Sequence, residues 1–153
     1  MLPSIPALRL IKLLFVAALL AGCQTLGGAG LIQSASQAEL SPQAAEMIAG
    51  DLVGRLAEYV GPGSTTIQLR TDGSPFGQAL ENTLKQWGYA VVTDQNTSDP
   101  NVVPLAYVID TFETSVLGRL STTSLNLTRM YSLTVTDASP VSPLSVMRIG
   151  QEG

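Results

Sequence analysis

The chain predicts an α+β two-layer domain: two helices on one face of a mixed sheet of four to six strands, preceded by a signal peptide and a flexible tether. Three observations predict it. Two segments carry apolar residues at helical spacing, each behind a Ser-Pro pair, Ser41-Pro42 and Ser74-Pro75. The second helix lies between two strand-like runs, and the strand, helix and strand together fill about 30 residues, the size of a βαβ unit. From Val102 onward the pattern turns to strands with short connections and no helical period.

The elements follow in order from the N-terminus. Arg9 and Lys12 precede the apolar run Leu13 to Leu20, and Ala21-Gly22-Cys23 follows it. This is the order of a secretory signal: a basic region, an apolar region and a small-residue cleavage site. A helix over Leu13 to Gly22 would span about 15 Å, half of the roughly 30 Å hydrocarbon core, so a spanning helix is disfavoured. Cys23 is the only cysteine in the chain. Leu20-Ala21-Gly22-Cys23 resembles the lipobox of bacterial lipoproteins. The resemblance implies thioether lipidation of the Cys23 thiol, cleavage before it, and a mature chain that begins with lipidated Cys23. Residues 1–22 are then the signal peptide. Residues 23–40 are the lipidated N-terminus and linker, small and polar at Gly27-Gly28-Ala29-Gly30 and Ser34-Ala35-Ser36-Gln37, with low order expected. No Gly-Lys-Ser/Thr follows those glycines, so they do not read as a phosphate loop.

Residues 41–153 form the α+β domain. Ser41 is the expected N-cap and Pro42 the first helical residue. Over Pro42 to Val60, Ala45, Ile48, Ala49, Leu52, Val53, Leu56, Tyr59 and Val60 share one stripe. Asp51 and Arg55, four apart, are expected to pair on the opposite side, where Gly50 and Gly54 also fall. Gly61-Pro62-Gly63 ends the helix. Ser64 to Arg70 alternates, with Ile67 and Leu69 facing one way. The helix Phe76 to Trp87 turns Phe76, Ala79, Leu80, Leu84 and Trp87 to the core, pairs Glu81 with Lys85, and stops at Gly88. Tyr89 to Thr93 is a short strand, which a right-handed crossover makes parallel to the first. Asp94 to Asn101 is a polar loop. Strands are expected over Val102 to Phe112, Leu117 to Leu127 and Arg129 to Thr136, the last with Tyr131, Leu133 and Val135 inward. Leu144 to Ile149 reads as an edge strand, able to add to a partner sheet.

Composition narrows the chemistry. Without residues 1–22 the chain keeps six bases against twelve acids, a net charge of −6. An acidic surface argues against direct nucleic-acid binding and against electrostatic attachment to anionic lipid, which leaves the membrane contact to the acyl chains. There is no histidine. Once Cys23 carries lipid, His-based triads, Cys-His dyads and nearly all zinc sites are excluded. Lys85 is the only lysine after residue 22, but it falls on a polar helix face with Glu81 one turn back, whereas a catalytic lysine needs burial. Asp94, Asp99, Asp110 and Glu113 lack the alternating spacing and central glycine of a calcium loop. No catalytic, metal or cofactor-binding residue is assigned, and the chain reads as no enzyme.

Three further stretches carry a family resemblance. They are Leu40-Ser41-Pro42-Gln43-Ala44-Ala45 with Ile48-Ala49-Gly50-Asp51-Leu52-Val53; Asp72-Gly73-Ser74-Pro75-Phe76-Gly77 with Leu80-Glu81 and Gly88-Tyr89-Ala90-Val91; and Leu127-Thr128-Arg129-Met130-Tyr131 with the tail from Pro140 to Met147. In that order they resemble the TrbH family of conjugal transfer proteins. The resemblance implies a lipoprotein of the mating-pair-formation apparatus, a type IV secretion system that moves plasmid DNA between bacteria. The expected partners are the membrane, through the N-terminal lipid, and other subunits of that apparatus. Gln24 is not the aspartate that retains lipoproteins at the inner membrane, so the expected place is the periplasmic face of the outer membrane. The family supplies no catalytic or ligand residue to carry over. The alternative is a general envelope lipoprotein that binds peptidoglycan or a small ligand.

Overall fold

The structure is a computed structural model that describes residues 33–93, 99 and 101–150. The signal peptide, Cys23 and most of the linker lie outside the described residues, as do residues 94–98 and 100 of the polar loop. Strand β1 (Ala35–Ser36) leads into α1 (Pro42–Leu56), β2 (Thr66–Leu69), α2 (Pro75–Gln86) and β3 (Ala90–Thr93). Then follow β4 (Val102–Phe112), β5 (Ser115–Ser121), β6 (Leu125–Leu133), β7 (Ala138–Pro140) and β8 (Ser145–Arg148).

One mixed sheet runs β3-β2-β4-β5-β6-β7. The β2-α2-β3 unit is parallel as predicted, with Ile67 beside Val91, and β4 joins the other side of β2 in parallel. From β4 on, every pairing is antiparallel. The eight strands fill six positions, because β1 extends the β2 edge of β4 and β8 shares the outer edge of β6 with β7.

Both helices start where their serines dictate. Ser41 Oγ accepts from Ala44 N–H and Ser74 Oγ from Gly77 N–H, each at 3.2 Å. Helix α2 stops at Gly88, which takes φ 91°, while Tyr89 N–H reaches Leu84 C=O at 3.1 Å. A left-handed residue there costs glycine nothing. Helix α1 ends at Leu56, one turn before the expected Val60. Glu58 N–H and Tyr59 N–H bond three residues back, and the buried Tyr89 hydroxyl donates to Val60 C=O. The chain is thus drawn off the helix before Tyr59, which is left partly exposed.

The core lies between helices and sheet. Ile48, Leu52 and Leu56 from α1 and Phe76, Leu80 and Leu84 from α2 are fully buried against Ile67, Leu69, Leu105, Tyr107 and Ile109. Phe76 meets Tyr107 edge to face at 5.1 Å. A Cβ on Gly118 would lie 3.1 Å from Tyr131 and 3.2 Å from Leu52, so the missing side chain lets α1 sit close to β5.

Four further expectations change. Residues 33–40, expected to end the tether, instead join the domain: β1 pairs with β4, and Ala38 and Leu40 are buried. The β5–β6 break falls at 122–124, not after Leu127, because Thr122 N–H and hydroxyl both turn back to Leu125 C=O. Val135, expected inward, is 90% exposed, since Thr134 N–H bonds Asp137 C=O and closes a turn around it. Trp87, expected in the core, is 46% exposed, since it caps α2 and rests its ring edge on Gly54.

Candidate functional site

Sequence reasoning placed the chemistry at Cys23, which lies outside the described residues. Among the described residues no group of three acidic, histidine or cysteine side chains is placed to hold a metal. Lys85 is bound to Glu81 at 2.6 Å on the exposed side of α2, and Asp110 is exposed and caps Thr111 N–H. What the fold does organise is a set of polar clamps and the surfaces they position.

The first clamp joins helix to sheet. Arg129 Nη1 lies 3.0 Å from Asp51 Oδ1 and 3.1 Å from Oδ2, and Tyr131 Oη donates to Oδ2 at 2.7 Å. The expected Asp51–Arg55 pair does not form; Arg55 binds Glu58 at 2.8 Å on the surface. Asp51 turns inward because Arg129 shares the core-facing parity of Leu127 and Tyr131 on β6 and needs an anion there. Burial, then the Asp51 carboxylate, pushes the Tyr131 phenol well above its ordinary range. Arg129 Nε also donates to Ser142 C=O at 3.0 Å, and Met130 N–H to Ser142 Oγ at 3.0 Å. The clamp therefore fixes the connection between β7 and β8 as well as α1.

The second clamp holds the chain's entry to the domain. Asp72 Oδ1 accepts from Ser74 N–H at 3.0 Å and from the Tyr107 hydroxyl, while Oδ2 accepts from Ser36 N–H at 2.8 Å. Asp72 N–H in turn donates to Tyr107 Oη at 3.1 Å, and Tyr107 N–H to Ser34 Oγ at 3.2 Å. Burial works to raise the Asp72 carboxyl, but the donors from Ser74, Tyr107 and Ser36 outweigh it and hold the group below its usual value. Burial raises the Tyr107 phenol. Sequence reasoning missed both clamps. The inward parity of Arg129 was the legible sign of the first, and Asp72 two residues before a Ser N-cap the sign of the second.

Two surfaces remain open around these clamps. Between the helices runs a cleft of about 520 Å³, lined by Glu46 and Gly50 of α1 and by Asn82, Gln86 and Trp87 among others. Nothing lies within 4 Å of a Cβ placed on Gly50. The other surface is the sheet edge at β8, all four of whose residues are exposed. Arg148 sits 5.8 Å over the Tyr59 ring, and Val146 and Met147 are exposed.

The comparisons place this architecture. The family model described as "Conjugal transfer protein TrbH" matches residues 26–150. The chain is 46% identical over 136 residues to a "Probable conjugal transfer protein TrbH" of Sinorhizobium fredii (strain NBRC 101917 / NGR234), covering 86% of this chain and 91% of that relative. No solved structure matches the chain. The matched residues contain both helices, all eight strands and both polar clamps, and the chain belongs to the TrbH family of conjugal transfer proteins.

Proposed function

We propose that the protein is a lipid-anchored structural subunit of a conjugal type IV secretion apparatus, held by acylated Cys23 at the periplasmic face of the outer membrane. The observation that carries this reading is the lipobox, Leu20-Ala21-Gly22-Cys23, at the head of a chain of this family. No described helix is long and apolar enough to cross a membrane; in this reading the acylated Cys23 supplies the attachment. The polar side chains that the fold does gather, Asp51 with Arg129 and Asp72 with Tyr107, are engaged with one another and hold elements together. They support a role in scaffolding by protein contacts.

The test is a crosslinked pull-down of the full-length protein from detergent-solubilised envelopes. Recovery of other secretion subunits is the expected result, together with a palmitate label that Cys23→Ala removes. A clean deletion should cut plasmid transfer without harming growth. Normal mating frequency, or label that survives Cys23→Ala, overturns the corresponding half of the proposal.

The cleft between the helices favours a second reading, an envelope lipoprotein that binds peptidoglycan or a small ligand. An exposed Trp beside amide side chains is suited to a sugar ring. Recovery of the protein alone, with saturable binding of muropeptides that Trp87→Ala abolishes, would move the conclusion there.

A further inference from the structure

We infer that β8 is a self-pairing edge, through which two copies of the protein join their sheets antiparallel about Met147. Ile149 N–H bonds Ser124 C=O at 2.9 Å, and Val141 N–H bonds Met130 C=O at 2.9 Å. In an antiparallel ladder the backbone groups of alternate residues point to opposite sides. Ser145 and Met147 therefore bond β6, whereas the N–H and C=O of Val146 and Arg148 point outward. Among the described residues no strand meets them. The neighbouring stretch of the same edge is closed differently. The outward positions of β7 are Ala138 and Pro140, and Pro140 has no N–H to offer. Pro140 thus interrupts the edge ahead of β8, where Val146 and Arg148 both keep their outward donors.

The surroundings of that opening suit a second copy. Of the nine large apolar side chains exposed among the described residues, five fall between residues 135 and 149. Residues 138–150 contain one base and no acid, in a chain of net charge −4. The segment therefore brings no carboxylate of its own to a contact between two copies of an acidic molecule. The register is self-complementary. If the outward groups of Val146 bond those of Arg148 in the other copy, the same bonds repeat about a twofold axis, as an isologous contact requires. Met147, 59% exposed, then faces its own copy in a non-hydrogen-bonded pair, with Cα atoms about 4.5 Å apart. Each Arg148 lies opposite Val146 and not opposite the other Arg148. The clamp of Arg129 on Ser142 holds β8 in place before any partner arrives. The inference stands on this edge and does not require the lipid.

The experiment uses full-length protein in native membranes and in detergent. Wild-type protein should run at double its monomer mass by light scattering, and a monomer overturns the inference. Met147→Cys should give a reducible dimer under mild oxidant, since the facing Cα separation falls within disulfide range. Ser139→Cys, exposed on the same sheet face beside Pro140, should give none. Val146→Pro removes the outward donor and leaves the bonds to β6 intact. Combined with Met147→Cys it should lose the dimer while its thermal melt holds. Equal crosslinking of Met147→Cys and Ser139→Cys, or a dimer that survives Val146→Pro, overturns the inference. So does a Met147→Cys adduct with a different protein. A reducible dimer of the wild type reports a free Cys23 thiol, and so bears on the anchor and not on the edge.

Discussion

Asp51 shows how one side chain is committed by its surroundings. On the helix surface an Asp–Arg pair four residues apart is worth a few tenths of a kcal/mol. In the partly buried site beside Arg129 and Tyr131 it satisfies two donors that have little water to turn to. Asp51→Ala should therefore cost about 2–4 kcal/mol in a denaturant melt, because it strands a guanidinium and a phenol, whereas Arg55→Ala should change stability little. The tyrosines give a pH signature. In the unfolded chain phenols ionise near pH 10, while burial holds those of Tyr131, Tyr107 and Tyr89 protonated to higher pH. The folded state then binds more protons, so this stabilisation is complete below about pH 10 and is lost as pH rises further. Asp72 acts in the opposite direction. Its carboxyl is held below the ordinary value near 4, so its contribution is complete above that pH and is lost as pH falls through the folded value. An alkaline melt of Tyr131→Phe should show a weaker loss above pH 10 than wild type, and an acid melt of Asp72→Asn a weaker loss below pH 4.

Elements respond according to what faces their glycines. Gly50 has open space where a Cβ would go. Gly50→Ala should stabilise α1 by about 1 kcal/mol, the propensity gap between the two residues. Gly77, in the first turn of α2, has the Tyr107 hydroxyl and Thr71 Oγ1 inside contact distance of such a Cβ. Gly77→Ala should destabilise despite the same gain in propensity, because it drives a wedge into the Asp72 clamp. Thermal melts of the two variants should move in opposite directions. In the middle of α1, Leu52→Ala removes a fully buried side chain packed over Gly118 and should cost about 2–5 kcal/mol.

At the scale of the whole domain, the described residues make one layer of helices on one sheet, with β3 at one edge and β7 and β8 at the other. The buried core between helices and sheet is built among the described residues from aliphatic and aromatic side chains with no cysteine in it. Cys23→Ala should therefore release the protein from the membrane fraction while its melting temperature stays that of wild type. A variant that stays membrane-bound would remove the lipid anchor from the account; a variant that unfolds would tie Cys23 to the fold itself.

The local elements were legible in the sequence because their causes are local. Ser41-Pro42 and Ser74-Pro75 start helices through bonds made within three residues, Gly88 stops one through its own φ, and the run Val102 to Phe112 is a strand by its side-chain types, with the predicted bounds. The size of the β2-α2-β3 unit also carried its parallel pairing, since a crossover of that length has one favoured hand. The rest depended on partners distant in sequence. Asp51 could satisfy Arg55 or Arg129, and only the approach of β6 under α1 decided between them. Residues 33–40 look like linker until β4 supplies Ile109 C=O and Asp72 its carboxylate. Trp87 reads as core until the end of α2 sets it on Gly54, and the edge at β8 takes its place only once β6 is long enough to pair both β7 and β8. Spacing along the chain determines which face a residue takes on its own element; what that face meets is a competition among distant groups, and only the packed structure resolves it.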